Sequence, residues 1–96
     1  MNVQDIVAKL TELKPTITAQ YRVKEISLFG SFVRGEQAEN SDIDLLAEFD
    51  ENADLFDLIG LELFLEDTFK RAVDVVPKQV LRAELRDTVL QQVVAI

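Results

Sequence analysis

A chain of 96 residues, 48% of them hydrophobic and with a formal net charge of −8, has enough material for one small domain with its own core. It contains no cysteine and no histidine, which excludes disulfides, thiolate chemistry, Ser-His-Asp triads and nearly all zinc sites. An isoelectric point near 4.4 makes it a poor unaided binder of nucleic acid and suits a basic protein partner instead.

Val3, Ile6, Val7, Leu10 and Leu13 recur at helical spacing, and the spacing predicts a helix over 3–13. Lys14-Pro15 interrupts it, and Pro15 suits the first position of a second, short helical piece ending near Tyr21. Residues 25–29 read as a strand entering the turn Gly30-Ser31, where Ser31 can cap a short helix through Arg34 that Gly35 ends. Residues 43–49 alternate strictly: Ile43, Leu45, Ala47 and Phe49 belong to one face, Asp42, Asp44, Leu46 and Glu48 to the other. Asp54 to Phe69 is a helix, apolar around most of its circumference. Val73 to Val76 is a short β-branched strand stopped by Pro77, and 79–95 is a last helix with Leu81, Leu85, Val89 and Val93 on one side. Strands alternating with helices imply an α/β architecture in a single domain over 1–96. No apolar run approaches bilayer-spanning length, and Met1-Asn2-Val3-Gln4-Asp5 lacks the basic start of a signal peptide; a cytoplasmic protein without membrane contact is expected.

Two segments carry chemistry. Gly30 permits close backbone approach to a ligand, and the Ser31 hydroxyl with the helix N-terminal N–H groups can receive phosphate oxygens. Asp42 and Asp44 are two apart on a strand, which puts both carboxylates on one face, where their repulsion is relieved by a divalent ion that prefers oxygen ligands. Taken alone, Gly-Ser is an ordinary capped turn and Asp-x-Asp a solvated pair. Together, at this spacing, they should arise by chance in roughly one chain per thousand, given residue frequencies of about 5–7% each. Asp74 completes the acid cluster if its strand borders 43–49, as metal ligand and as base toward an incoming hydroxyl. Arg34 pairs either with a triphosphate or with an acid such as Glu36 or Glu39; Lys78 reads as a solvated lysine, and Ser41 as a brace for its loop. The set describes nucleotide transfer from a nucleoside triphosphate with Mg²⁺, one ion or two, with Mn²⁺ not distinguished. A P-loop is excluded, since no Gly-x4-Gly-Lys-Ser/Thr is present.

Leu28-Phe29-Gly30-Ser31-Phe32-Val33-Arg34-Gly35-Glu36, Asn40-Ser41-Asp42-Ile43-Asp44-Leu45-Leu46-Ala47-Glu48-Phe49 and Ala72-Val73-Asp74-Val75-Val76-Pro77-Lys78 closely resemble the motifs of the minimal nucleotidyltransferase (MNT) family, within the DNA polymerase beta-like superfamily. The region of Leu85-Arg86-Asp87 is similar to the family's last helix, so the likeness covers most of the chain. The resemblance implies a small mixed β-sheet packed with helices (α+β). Gly30 and Ser31 would hold the triphosphate, Asp42 and Asp44 the metals, and Asp74 would complete the triad. It also implies an antitoxin that transfers AMP from ATP to a tyrosine of a HEPN-family RNase toxin. Larger members that modify tRNA or aminoglycosides add a second domain for the acceptor, and nothing here could supply one.

One feature of the residues themselves points to a protein partner. Leu55, Phe56, Leu58, Ile59, Leu61, Leu63, Phe64, Leu65 and Phe69 encircle more of their helix than packing on one sheet requires, and Val89, Leu90, Val93, Val94 and Ile96 suggest the same. A non-catalytic antitoxin that neutralises its toxin by complex formation is the competing reading; a small-molecule nucleotidyltransferase is the third.

Overall fold

The computed structural model of the chain describes residues 2–30, 42–80 and 93–96. In chain order it contains α1 (Val3–Tyr21), β1 (Val23–Phe29), β2 (Ile43–Phe49), α2 (Leu55–Phe69), β3 (Val73–Pro77), a 3₁₀ turn at Lys78–Val80 and β4 (Val94–Ala95). The strands form one mixed sheet in the order β3-β2-β1-β4. β1 pairs antiparallel with both β2 and β4, whereas β2 and β3 run parallel and are joined through α2. The expected mixed sheet packed with helices is therefore present, among the described residues as two helices against four strands.

The alternation of 43–49 sets how the sheet is used. Ile43, Leu45 and Ala47 are fully buried, with Val23, Ile26 and Leu28 beside them on β1 and Val73 and Val75 on β3. Against these pack Ile6, Leu10 and Ile17 of α1 and Leu61, Leu65 and Phe69 of α2. Every fully buried side chain among the described residues is apolar. Both helices begin with reciprocal caps, Asn2 with Asp5 and Asp54 with Asp57, which satisfy backbone donors that the helix itself cannot. Each ends on a residue in the left-handed region, Arg22 and Lys70. No helix of the described residues is long and apolar enough to cross a membrane.

Two expectations about elements are corrected. The first helix does not stop at Lys14-Pro15; α1 runs through Pro15 to Tyr21. An interior proline removes the N–H bond to the carbonyl four residues back and crowds it, at a cost of about 3 kcal/mol. Here the apolar stripe continues on both sides, Ile6 and Leu10 before and Ile17 after, and burial of all three in one core outweighs that cost. Thr11 and Pro15 are both exposed, so the carbonyl that loses its donor can be hydrated. The second correction concerns 79–95. Its beginning is a 3₁₀ turn and its end is a strand, with Val94 opposite Leu28 and Ala95 opposite Ser27. The β-branched Val94 completes the open side of β1, and Ile96 N–H donates to Ile26 C=O at 3.1 Å. Val94 and Ile96 thus pack, partly buried, against the core. Residues 81–92 lie outside the described residues.

The surplus apolar surface of α2 is real. Phe56 is 82% exposed, Leu55 65%, Leu63 61% and Ile59 43%, on the side of the helix turned away from Leu61, Leu65 and Phe69. The rest of the helix is spoken for: Phe64 stacks obliquely on Tyr21 of α1, with ring centroids 5.7 Å apart, and Gly60 leaves room for the same ring.

Candidate active site

β1 delivers the chain to Gly30, which has φ of +82°, in the region that side chains rarely adopt. Phe29, the last residue of β1, pairs with Asp44 on β2. The backbone at Gly30 consequently lies against the Asp44 carboxylate: a Cβ built at position 30 would sit 2.2 Å from Asp44 Oδ2 and 3.0 Å from its Cβ and Cγ. The close approach seen at this glycine is to the acid itself. A side chain here would fill the space between the turn and the carboxylate.

The acids meet through strand register. β3 lies beside β2, and Asp74 is the direct partner of Asp44, with Ile43 opposite Val73 and Leu45 opposite Val75. Parallel neighbours in register project to the same face, on strands about 4.8 Å apart. That face is the one away from both helices, since Ile43, Leu45, Val73 and Val75 occupy the other. Asp42 precedes β2 and is exposed; Asp44 is half-buried and Asp74 exposed. The N-terminus of β2 is anchored by Ile43 N–H donating to Ala72 C=O at 3.0 Å, which locks the start of one acid-bearing strand to the start of the other.

The donor set is all carboxylate oxygen, the chemistry that Mg²⁺ and Mn²⁺ prefer. Among the described residues no group of three acids is gathered closely enough to hold a metal ion by itself. Asp42 stands just before the strand, whereas Asp44 and Asp74 are paired by register. The residues fit a hard divalent ion that is shared with a ligand's oxygens. Mg²⁺ is commonly bound in that way, through one or two carboxylates plus phosphate.

Ser31 and Arg34, with Glu36, Glu39 and Ser41, lie outside the described residues. Lys78 is placed: it begins the 3₁₀ turn four residues beyond Asp74, about 13 Å further along the strand. There it lines a cleft of about 40 Å³ with Glu25, Ser27, Leu46 and Glu48, so its neighbours are glutamates of the open face rather than the aspartates. Two larger cavities, of about 290 and 610 Å³, lie at the Phe49 end of β2, far from Asp44. Reading the sequence missed Glu62 and Glu66 of α2, whose carboxylates bond to the backbone of β3. The available signal was a pair of glutamates four apart on a largely apolar helix.

Comparison with known proteins bears on the family and the fold. The sequence profile of the nucleotidyltransferase domain family matches residues 10–96. The protein adenylyltransferase MntA of Thermococcus cleftensis is 39% identical over 94 residues, covering 98% of this chain and 95% of that protein. A solved structure described as a proposed minimal nucleotidyltransferase superimposes with a TM-score of 0.85 at 32% identity, over 100% of this chain and 97% of the other. A chain in the solved complex of a tri-AMPylated Shewanella oneidensis HEPN toxin with its MNT antitoxin shares the fold, with a TM-score of 0.63 at 22% identity over 91% of this chain and 69% of that one. With Asp44 and Asp74 paired at the mouth of a mixed sheet and Gly30 against them, the chain belongs to the nucleotidyltransferase domain family, among its minimal members.

Proposed function

We propose that this nucleotidyltransferase is a metal-dependent antitoxin that moves AMP from ATP onto a tyrosine hydroxyl of a partner HEPN RNase toxin and thereby silences it. The observation that carries the proposal is the register of Asp44 with Asp74 beside Gly30. Adenylyl transfer to protein is named for the Thermococcus relative, and the tri-AMPylated HEPN toxin is the recorded acceptor in the Shewanella complex.

In this reading Gly30, Ser31 and Arg34 receive the triphosphate, and Asp42, Asp44 and Asp74 hold Mg²⁺. Bound there, the ion would neutralise the triphosphate and the charge that develops on the attacking and leaving oxygens. The tyrosine oxygen attacks the α-phosphorus of ATP; the bond from that phosphorus to the bridging oxygen breaks, and pyrophosphate leaves. Asp74, on the exposed side of the pair, takes the tyrosine proton. Asp42 and Asp74 are exposed, which gives the acceptor access to the acids, and docking of the toxin supplies the orientation that a separate acceptor domain supplies elsewhere. The α2 stripe of Phe56, Ile59 and Leu63 is the docking surface for that partner. Residues 54–70 carry five acids and one lysine, so a second copy of the chain would bring acid against acid, whereas a basic partner gains.

The test is to mix the chain with its toxin, ATP and Mg²⁺ and weigh the toxin by intact mass spectrometry. A gain of one or more AMP units that disappears with Asp44→Asn supports the enzyme; undiminished labelling by that variant refutes it. The apolar stripe also favours a second reading, in which complex formation alone neutralises the toxin. Under it Asp44→Asn still protects cells and no mass is gained.

A further inference from the structure

Among the described residues β3 is an outer strand, and an outer strand carries backbone N–H groups with no neighbouring strand to receive them. In β3 these belong to Val73 and Val75. The Ala72 carbonyl faces β2, where it accepts from Ile43, and the direction of the backbone groups alternates along a strand. Both outward N–H groups are taken by side chains of α2. Val73 N–H donates to Glu66 Oε2 at 3.2 Å, and Val75 N–H donates to Glu62 Oε2 at 3.1 Å. The spacing of the two elements makes this work. Four helical residues advance about 6.0 Å, two strand residues about 6.6 Å, so a pair of glutamates one turn apart matches alternate amides of a strand running the other way. Asp74 lies between the two held positions, with its backbone toward β2 and its side chain on the open face opposite Asp44.

We propose that Glu62 and Glu66 are positioning residues that clamp the outer strand through the amides of Val75 and Val73 and so hold Asp74 in register with Asp44. The inference rests on the reading that Asp74 belongs to the catalytic set. An outer strand held from one side only is free to fray, and fraying of β3 would carry the Asp74 carboxylate away from its partner. The clamp removes that freedom from the side opposite to β2. It also explains why a largely apolar helix places two half-buried carboxylates along the edge of the sheet. The feature required is an acceptor oxygen, not a charge, which separates this role from metal binding by the same residues.

Two double variants test it: Glu62→Ala with Glu66→Ala, and Glu62→Gln with Glu66→Gln, the latter keeping an acceptor at each position. In the chain alone, amide exchange at Val73 and Val75 should quicken about tenfold or more in the alanine pair and stay near wild type in the glutamine pair. Broadening of the Asp74 resonance by Mn²⁺ should then need several-fold more metal in the alanine pair only. With the toxin present, at a temperature where all forms are folded, kcat for AMP transfer should fall about tenfold or more in the alanine pair with KM for ATP little changed, and the glutamine pair should recover it. Wild-type kcat and metal dependence in the alanine pair would overturn the proposal, as would a glutamine pair as impaired as the alanine pair. If the alanine pair does not fold, Glu62→Ala alone, which releases only Val75, provides the same comparison. A wild-type chain that transfers nothing would refute the function proposed above, and exchange and Mn²⁺ broadening would then decide the clamp by themselves.

Discussion

Gly30→Ala should damage stability and transfer together, for two separable reasons. The first is conformational: φ at position 30 is +82°, and a side chain in the left-handed region costs about 1–2 kcal/mol. The second is steric. The new methyl would lie 2.2 Å from Asp44 Oδ2, and turning the carboxylate aside relieves that contact alone. The Asp44 Cβ, 3.0 Å away, is fixed by the backbone of β2, so a residual overlap persists in every rotamer and the turn must move off the strand. Overpacking of this kind costs about 1–3 kcal/mol, for a total of about 2–5 kcal/mol. In a domain of this size each kcal/mol is worth about 4–8 °C, so Tm should fall by about 10 °C or more. Urea and thermal denaturation measure this directly, and AMP transfer assayed well below the new Tm measures the displacement of Asp44 in molecules that are still folded. Gly60→Ala is the internal control. Its methyl would meet only the edge of the Tyr21 ring, at 3.0 and 3.4 Å, which can swing away, while helix propensity gains about 1 kcal/mol. That variant should be neutral or slightly stabilised, with full transfer. A Gly30→Ala protein with unchanged Tm and wild-type transfer would refute the argument that the turn and the acid are built against each other.

Replacing Pro15 by alanine restores the bond from residue 15 to the Thr11 carbonyl within α1 and should raise stability by about 1–3 kcal/mol in thermal denaturation; a lower Tm would mean that the proline is accommodated by something other than core burial. Leu65→Ala, at a fully buried position, should cost about 2–5 kcal/mol in urea unfolding without changing the transfer rate of the folded fraction. Phe56→Ser with Ile59→Ser should leave the isolated chain within about 1 kcal/mol of wild type, because both residues are exposed, yet weaken the complex with the toxin about tenfold or more in calorimetry. Unchanged affinity would remove α2 as the docking surface. Lys70→Gly, at the left-handed end of α2, should stabilise by up to about 1 kcal/mol, read as a small rise in Tm.

What could be read from the residues was the part governed by local periodicity. The alternation over 43–49 gave β2 with its bounds and the core side of Ile43, Leu45 and Ala47, although Leu46 on the other face is buried as well. It also placed Asp44 on the open face before any pairing was known. The place of Asp74 was conditional on which strand lay beside which, and only the parallel register of β2 with β3 decides it. Pro15 was misleading because a local rule about helices was overruled by a stripe of leucine and isoleucine that reaches across it. The end of the chain was misleading for the converse reason: valines four apart mimic a helix, yet Val94 has an open strand to join, and sheet pairing at long sequence separation leaves no periodic trace. Glu62 and Glu66 escaped notice for the same reason, since their partners are main-chain amides, which any residue carries.

The order in which the centre comes together follows from the mixed topology. Phe29 and Asp44 are joined by an antiparallel pairing of strands adjacent in sequence, so Gly30 and its acid can associate early, as a hairpin does. Asp74 arrives only after thirty further residues and the closure of the α2 crossover, a non-local event that is intrinsically slower. During synthesis Gly30 and Asp44 would leave the ribosome well before Asp74, which the proposed mechanism makes the proton acceptor. Under the proposed mechanism a chain in which β3 has not yet joined β2 would transfer nothing, which makes transfer a report on complete folding.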